Sequence, residues 1–225
     1  MLRHQRLLWS CLVCLLVYCI GIPTEIAFPQ TCFIDHARQL PNGAEVSVSG
    51  QVTVPSGKLG SANLDVGFAI QDASGGIYVT TDEDLALELG DLVSVSGRLQ
   101  DDGHNQRMLQ LRSWQLSQRR SQPIVPQLST AKLAGKFLDG RLVTVRGQII
   151  KSLQDDAPYG DRLWIRDDTG DIQIYLAKST AINPQELPFL EIGQLIQVTG
   201  LSSQFDDHDE VMPRSRADLV PLAKF

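Results

Sequence analysis

Residues 67–80 read GFAIQDASGGIYVT and residues 162–176 read RLWIRDDTGDIQIYL. Each stretch alternates apolar and polar side chains into an Asp, turns at a Gly and alternates out again, which is the pattern of a β-hairpin. Ile70, Asp72, Gly75 and Ile77 fall 95 residues before Ile165, Asp167, Gly170 and Ile172. Upstream, Gly43, Val46, Val48 and Gly50 precede Gly140, Val143, Val145 and Gly147 by 97, and downstream Gly90, Val95 and Gly97 precede Gly193, Val198 and Gly200 by 103. The offset changes only between blocks, as it does when insertions fall in loops. A hairpin written twice with its flanks restricts the chain to two similar β units.

Each unit has the same predicted order. In the first, a helical turn at 35–40 leads to strands at 45–54, 67–71 and 76–80, a short helix at 82–90, then strands at 91–99 and 108–116. Gly50 in the middle of strand one predicts a bend that lets one long strand serve two sheets. In the second unit a short helix within 130–137 leads to strands at 142–150, 162–166 and 172–176, a capped turn at Asn183, and strands at 194–201 and 210–220. The stretch 117–130, with two prolines and little periodicity, is the linker. The predicted boundaries are 35–116 and 131–222 for the two domains. A chain of 225 residues that is 43% hydrophobic supplies two small cores of this size.

Residues 1–27 have a different character. Arg3 and Arg6 precede a run from 7 to 22 without a charge, the pattern of a secretory signal peptide, although an uncleaved membrane anchor in contact with lipid fits the same residues. Cys11, Cys14 and Cys19 lie inside this run and leave Cys32 alone in the remainder, so no internal disulfide or CxxC metal site is predicted. Export therefore places the protein outside the cytoplasm, either secreted, periplasmic or membrane-anchored.

Five strands, a long Gly-bent first strand, and the segments GFAIQDASGGIYV, LELGDLVSVSGRL and IGQLIQVTGLSSQF resemble the OB-fold. More narrowly, they are similar to the tandem bacterial OB domains attached to secreted nucleases and to extracytoplasmic sensor proteins. The resemblance covers nearly all of the chain after residue 40. It implies an all-β protein of two tandem five-stranded Greek-key barrels, and a ligand bound on the face of strands two and three. Such folds take oligonucleotides, oligosaccharides or proteins there.

Alternation sends Trp164 and Arg166 outward from strand two of the second unit, and Gln173 and Tyr175 outward from strand three. Arg146 and Lys151 border that face, and Tyr78 holds the equivalent place in the first unit beside Ala69 and Gln71. An indole, a phenol and a guanidinium on one face form a base-stacking platform, whereas Trp164 packed between the two units would be an interface anchor. Both readings stand at the level of sequence. The net charge of −6 opposes a general polyanion binder, but residues 112–178 carry 11 basic and 7 acidic side chains between acidic flanks.

The loops between strands four and five repeat Asp and His, as Asp101-Asp102-Gly103-His104 and Asp206-Asp207-His208-Asp209. This chemistry serves either a divalent cation or a polar turn. Catalytic motifs are lacking, with neither a nucleophile elbow nor a phosphate loop in the sequence. The expectation is a binding protein without enzymatic activity, cofactor or metal. Its partner is single-stranded or accessible nucleic acid taken by the second domain, or alternatively a protein or an oligosaccharide.

Overall fold

A computed structural model describes residues 31–223, so the leader at 1–27 lies outside the described residues. The first barrel is built from β1 (Glu45–Val54), β2 (Phe68–Gln71), β3 (Gly76–Thr80), β4 (Leu92–Asp101) and β5 (Arg107–Gln118). The second repeats it with β6 (Leu142–Ile149), β7 (Gly160–Asp167), β8 (Gly170–Ala177), β9 (Leu195–Phe205) and β10 (His208–Met212). In both, strand one pairs with strands two and four, strand five runs parallel to strand three, and strand four closes the ring. The protein is all-β, two closed five-stranded barrels in tandem with the OB-fold strand order.

Closure follows from the long first strand. Glu45 to Gln51 pair with β4, and Gln51 to Val54 pair with β2, so one strand turns the corner at Gly50, where the sequence leaves out a side chain. The inward residues then meet as one core per barrel. Val48, Phe68, Ile70, Ile77, Val95 and Leu109 fill the first, and Val145, Leu163, Ile165, Ile174, Val198 and Val211 fill the second.

Asp72 and Asp167, 95 residues apart, do the same work in each copy. Oδ1 of Asp72 accepts from the amides of Ser74 and Gly75 at 2.7 and 2.8 Å and closes the hairpin turn, while Oδ2 accepts from the amide of Ile34 at 3.0 Å. Oδ1 of Asp167 accepts from Thr169 and Gly170 at 2.7 and 3.2 Å, and Oδ2 from the amide of Ala131 at 2.7 Å. Each carboxylate thus pins the segment that precedes its barrel onto the hairpin, here α1 (Ile34–Arg38) in the first copy and the turn at 131–134 in the second. Burial raises both carboxyls, but hydrogen bonds from the Ser74 and Thr169 hydroxyls and from the backbone amides outweigh it and hold them below the usual carboxylate range.

Two expectations are corrected. The helix predicted at 82–90 is irregular chain, because side chains take its amides: Ser56 accepts from Leu85, Asp84 from Ala86 and Asp91 from Glu88. Ala86 there has a φ of 51°, outside the right-handed helical region. The strand predicted at 210–220 ends at Met212; after Pro213 the chain turns and residues Leu219–Pro221 pair with β9. Residues within 117–130 are tied to both barrels: Ser121 bonds Gly90, and Gln127–Leu128 pair with β6.

Candidate nucleic-acid interface

The two barrels meet through different surfaces. Across the sheet of the first barrel, Ala69, Tyr78 and Met108 are ladder partners in one outward row, and all three are buried in a cluster with Ala177, Leu201 and Met212 of the second barrel. The second barrel's own equivalent row is Trp164, Gln173 and Glu210. On its contacting side the second barrel presents the row Leu142, Leu201 and Met212, where the first carries Glu45, Arg98 and Gln110. Apolar side chains at these positions in one copy and polar ones in the other decide which surface is covered.

Gly76 and Gly140 set how closely the barrels approach. A Cβ on either would collide with the backbone carbonyl of the other, so the two chains touch through peptide groups alone. Around them Arg38 pairs with Asp139, Arg141 donates to the Ser74 carbonyl, and the amide of Leu142 donates to Gln71 Oε1 at 2.9 Å. Burial holds the Asp139 carboxyl above the usual range in spite of Arg38.

Tyr78, expected on a ligand face, is 1% exposed in this interface. Its hydroxyl donates to the Leu59 carbonyl at 3.0 Å and bonds Asp65; burial and the Asp65 charge push the phenol up. The ligand face of the first barrel is therefore occupied by the second barrel, and Tyr78 is removed from the candidate site.

Trp164 lies on the face that stays open and is half-buried. Its ring contacts are with its own barrel: Lys151 Nζ sits 4.3 Å from the ring centroid and the His208 ring 5.6 Å away. It stands outside the apolar cluster between the barrels. Arg166 is its neighbour along β7, exposed, with Nη2 donating to Asp171 at 2.8 Å; Asp171 raises its pKa. Arg146 is exposed on β6 and donates from Nε to Gln197 at 2.8 Å. Lys151 is thus in contact with Trp164, Arg166 follows it two residues on along β7, and Arg146 is exposed farther along β6.

Gln173 and Tyr175 are placed differently. Gln173 is 4% exposed and gives its amide to Glu210 Oε2 at 2.9 Å. Tyr175 is half-buried, with its hydroxyl on Asp156 at 3.1 Å, and burial with the Asp156 charge raises its pKa. Both line a cleft of about 780 Å³ between the barrels. The alternation argument placed them on the correct side of the sheet, but it carries no information on where the neighbouring barrel begins.

Phe205 was missed by sequence reasoning, and His208 was read there only as part of a cation-binding or polar loop. The two Asp/His loops face one another: His104 Nδ1 bonds Asp206 Oδ1 at 2.8 Å, its ring stacks on Phe205 at 4.4 Å, and Asn105 Nδ2 donates to the Asp206 carbonyl at 2.7 Å. The recurrence that suggested a cation is a clasp between barrels. Among the described residues no group of three His, Cys, Asp or Glu is placed to hold a metal.

Two OB-fold barrels fused face to back define the class of this protein. No family model matches the chain, and no curated protein matches it. Among solved structures, the OB domain of MM0293 from Methanosarcina mazei superposes with a TM-score of 0.37 at 17% identity, over 45% of this chain and 88% of that one. A murine DNA-binding protein bound with double-stranded DNA gives 0.40 at 14%, over 80% and 97%. The tetrameric p202 HIN2 gives 0.33 at 14%, over 82% and 94%. Likenesses this distant carry no functional argument.

Proposed function

We propose that the chain is an exported binding protein, not an enzyme, that takes single-stranded or accessible nucleic acid on the open face of its second barrel. The observation that carries the reading is Trp164: an indole with solvent access, with Lys151 over its ring and Arg166 two residues on along the same strand, outside the apolar cluster that joins the barrels; exposed Arg146 adds a third cation on β6. A base stacks on such a ring whatever its identity, and the three cations meet the adjoining phosphates. The excess of basic side chains between 112 and 178 supports the same polarity, and the charged start and apolar run before residue 23 support export.

Titration of a fluorescent single-stranded oligonucleotide at rising salt tests the reading. Saturable binding that weakens steeply with salt is the expected result. A second reading, a protein or glycan partner on the same face, is favoured by the net charge of −6 and by the engagement of Arg166 with Asp171. No oligonucleotide binding at low salt would select it.

A further inference from the structure

The cleft between the barrels is lined by five carboxylates against Arg162 and Lys178. Three of the five are answered within the protein. Asp65 accepts from Ser61, Tyr78 and Thr80; Asp156 takes Arg162 Nη2 at 2.6 Å; and Asp206 takes His104. Lys178 stands exposed at the rim.

Asp102 and Glu210 differ. Both are buried, at 9% and 5% exposure. Asp102 uses only Oδ1, which accepts the amides of His104 and Gln106 at 2.7 and 3.1 Å. Glu210 uses only Oε2, which accepts from Gln173. Neither has an ion-pair partner among the described residues, and the second oxygen of each makes no hydrogen bond there. A buried carboxylate is costly unless a counter-charge offsets it. Burial is what pushes both carboxyls up, Glu210 to about 7; at Glu210 the Arg162 charge opposes burial, while the Asp102 and Asp139 charges add to it.

The surroundings describe the missing group. The space of about 780 Å³ is that of an organic ligand and far exceeds a bare ion, for which no ligand set is assembled. The Tyr175 ring, fixed by its bond to Asp156, forms one wall, and Tyr159, Pro158 and Leu64 supply apolar surface nearer the opening. Ligand sites also concentrate at domain junctions of this kind. The geometry points to a second binding site in this cleft, for a small organic cation, an amidinium or ammonium on an apolar body, whose charged end is held by Glu210 and Asp102. It adjoins the Trp164 face, with Gln173 and His208 between them, and takes a ligand of the opposite charge.

The probe is benzamidine, with uncharged benzamide as its isostere, titrated calorimetrically into the full chain at pH 8, above the Glu210 value of about 7. Saturable binding of millimolar benzamidine and none of benzamide is expected, with at least a tenfold loss of affinity in Glu210→Gln. Asp102→Asn, assayed the same way, replaces it if the first variant does not fold. No saturable heat with benzamidine, equal binding of benzamide, or undiminished affinity in the folded variant overturns the site. Because nucleic acid is absent from the assay, these outcomes are independent of the Trp164 reading.

Discussion

His104 of the first barrel and Asp206 of the second stand 2.8 Å apart, Nδ1 to Oδ1, with the imidazole lying flat on Phe205. The bond to Asp206 raises the His104 pKa, and the nearby Asp102 and Asp101 charges add to it. Stabilisation from the protonated ring is complete below the ordinary histidine value of about 6.5 and is lost as pH rises through the elevated folded value. Thermal melts of the wild type and His104→Gln from pH 5.5 to 8.5 should therefore converge as pH increases. A constant gap between the two curves would show that the clasp rests on stacking alone.

Glu210 titrates in the same direction for a different reason. Its ordinary value is 4.5 and its folded value about 7, because burial disfavours the charge. Between those values the folded chain keeps a proton that the unfolded chain releases, so stability falls as pH rises through the window, by about 3 kcal/mol in total. Glu210→Gln removes that slope: it should match the wild type near pH 4 and exceed it by up to about 3 kcal/mol at pH 8. Urea unfolding at the two pH values reads the difference directly, and an unchanged slope in the variant would exclude Glu210 as its source.

Tyr78 joins the barrels through ring and hydroxyl separately. Tyr78→Phe strands the Leu59 carbonyl and one bond of Asp65 and should cost about 1 to 3 kcal/mol. Tyr78→Ala empties the interface cluster as well, for about 3 to 5 kcal/mol. Denaturant melts of both variants check the order, and similar losses would mean that the ring contributes little.

On the open face the expected sign is reversed, with a large effect on binding and a small one on stability. Trp164→Ala should cost about 1 to 3 kcal/mol in oligonucleotide affinity, while its melting curve stays close to the wild type. Asp171→Ala, which frees Arg166 from its partner, should tighten binding and steepen its salt dependence. Loss of affinity in the Asp171 variant would argue that Arg166 needs that carboxylate to hold its position.

The barrels were legible because a repeat repeats its constraints. Inward Val, Ile and Leu at one spacing, and an Asp before each turn, mark both copies, and pairing leaves them little freedom. The site was legible only where it depends on the second barrel alone. Trp164 and Arg166 could be oriented by alternation, whereas Tyr78, Gln173 and Tyr175 were oriented equally well and ended up covered or within a cleft. What covers Tyr78 includes Ala177, Leu201 and Met212 of the other barrel, remote in sequence, and periodicity has no term for that. One signal was present: Ala69, Tyr78 and Met108 align with Trp164, Gln173 and Glu210, and a change from apolar to polar along a whole outward row is the mark of a surface used differently.

That row substitution makes the interface heterologous, the arrangement that in separate subunits gives rings or open filaments. The front of the first barrel takes the back of the second, which leaves one back and one front outside that contact. The back of the first barrel carries Glu45 with Arg98 and Arg112 in ion pairs, and the front of the second carries Trp164, with Gln173 and Glu210 lining the cleft. Neither reproduces the apolar patch that joins the pair, so each behaves as the polar cap of a two-repeat array. The contact that joins the pair is thus used once among the described residues, and a permuted chain with the second barrel first would have to bring the same front to the same back.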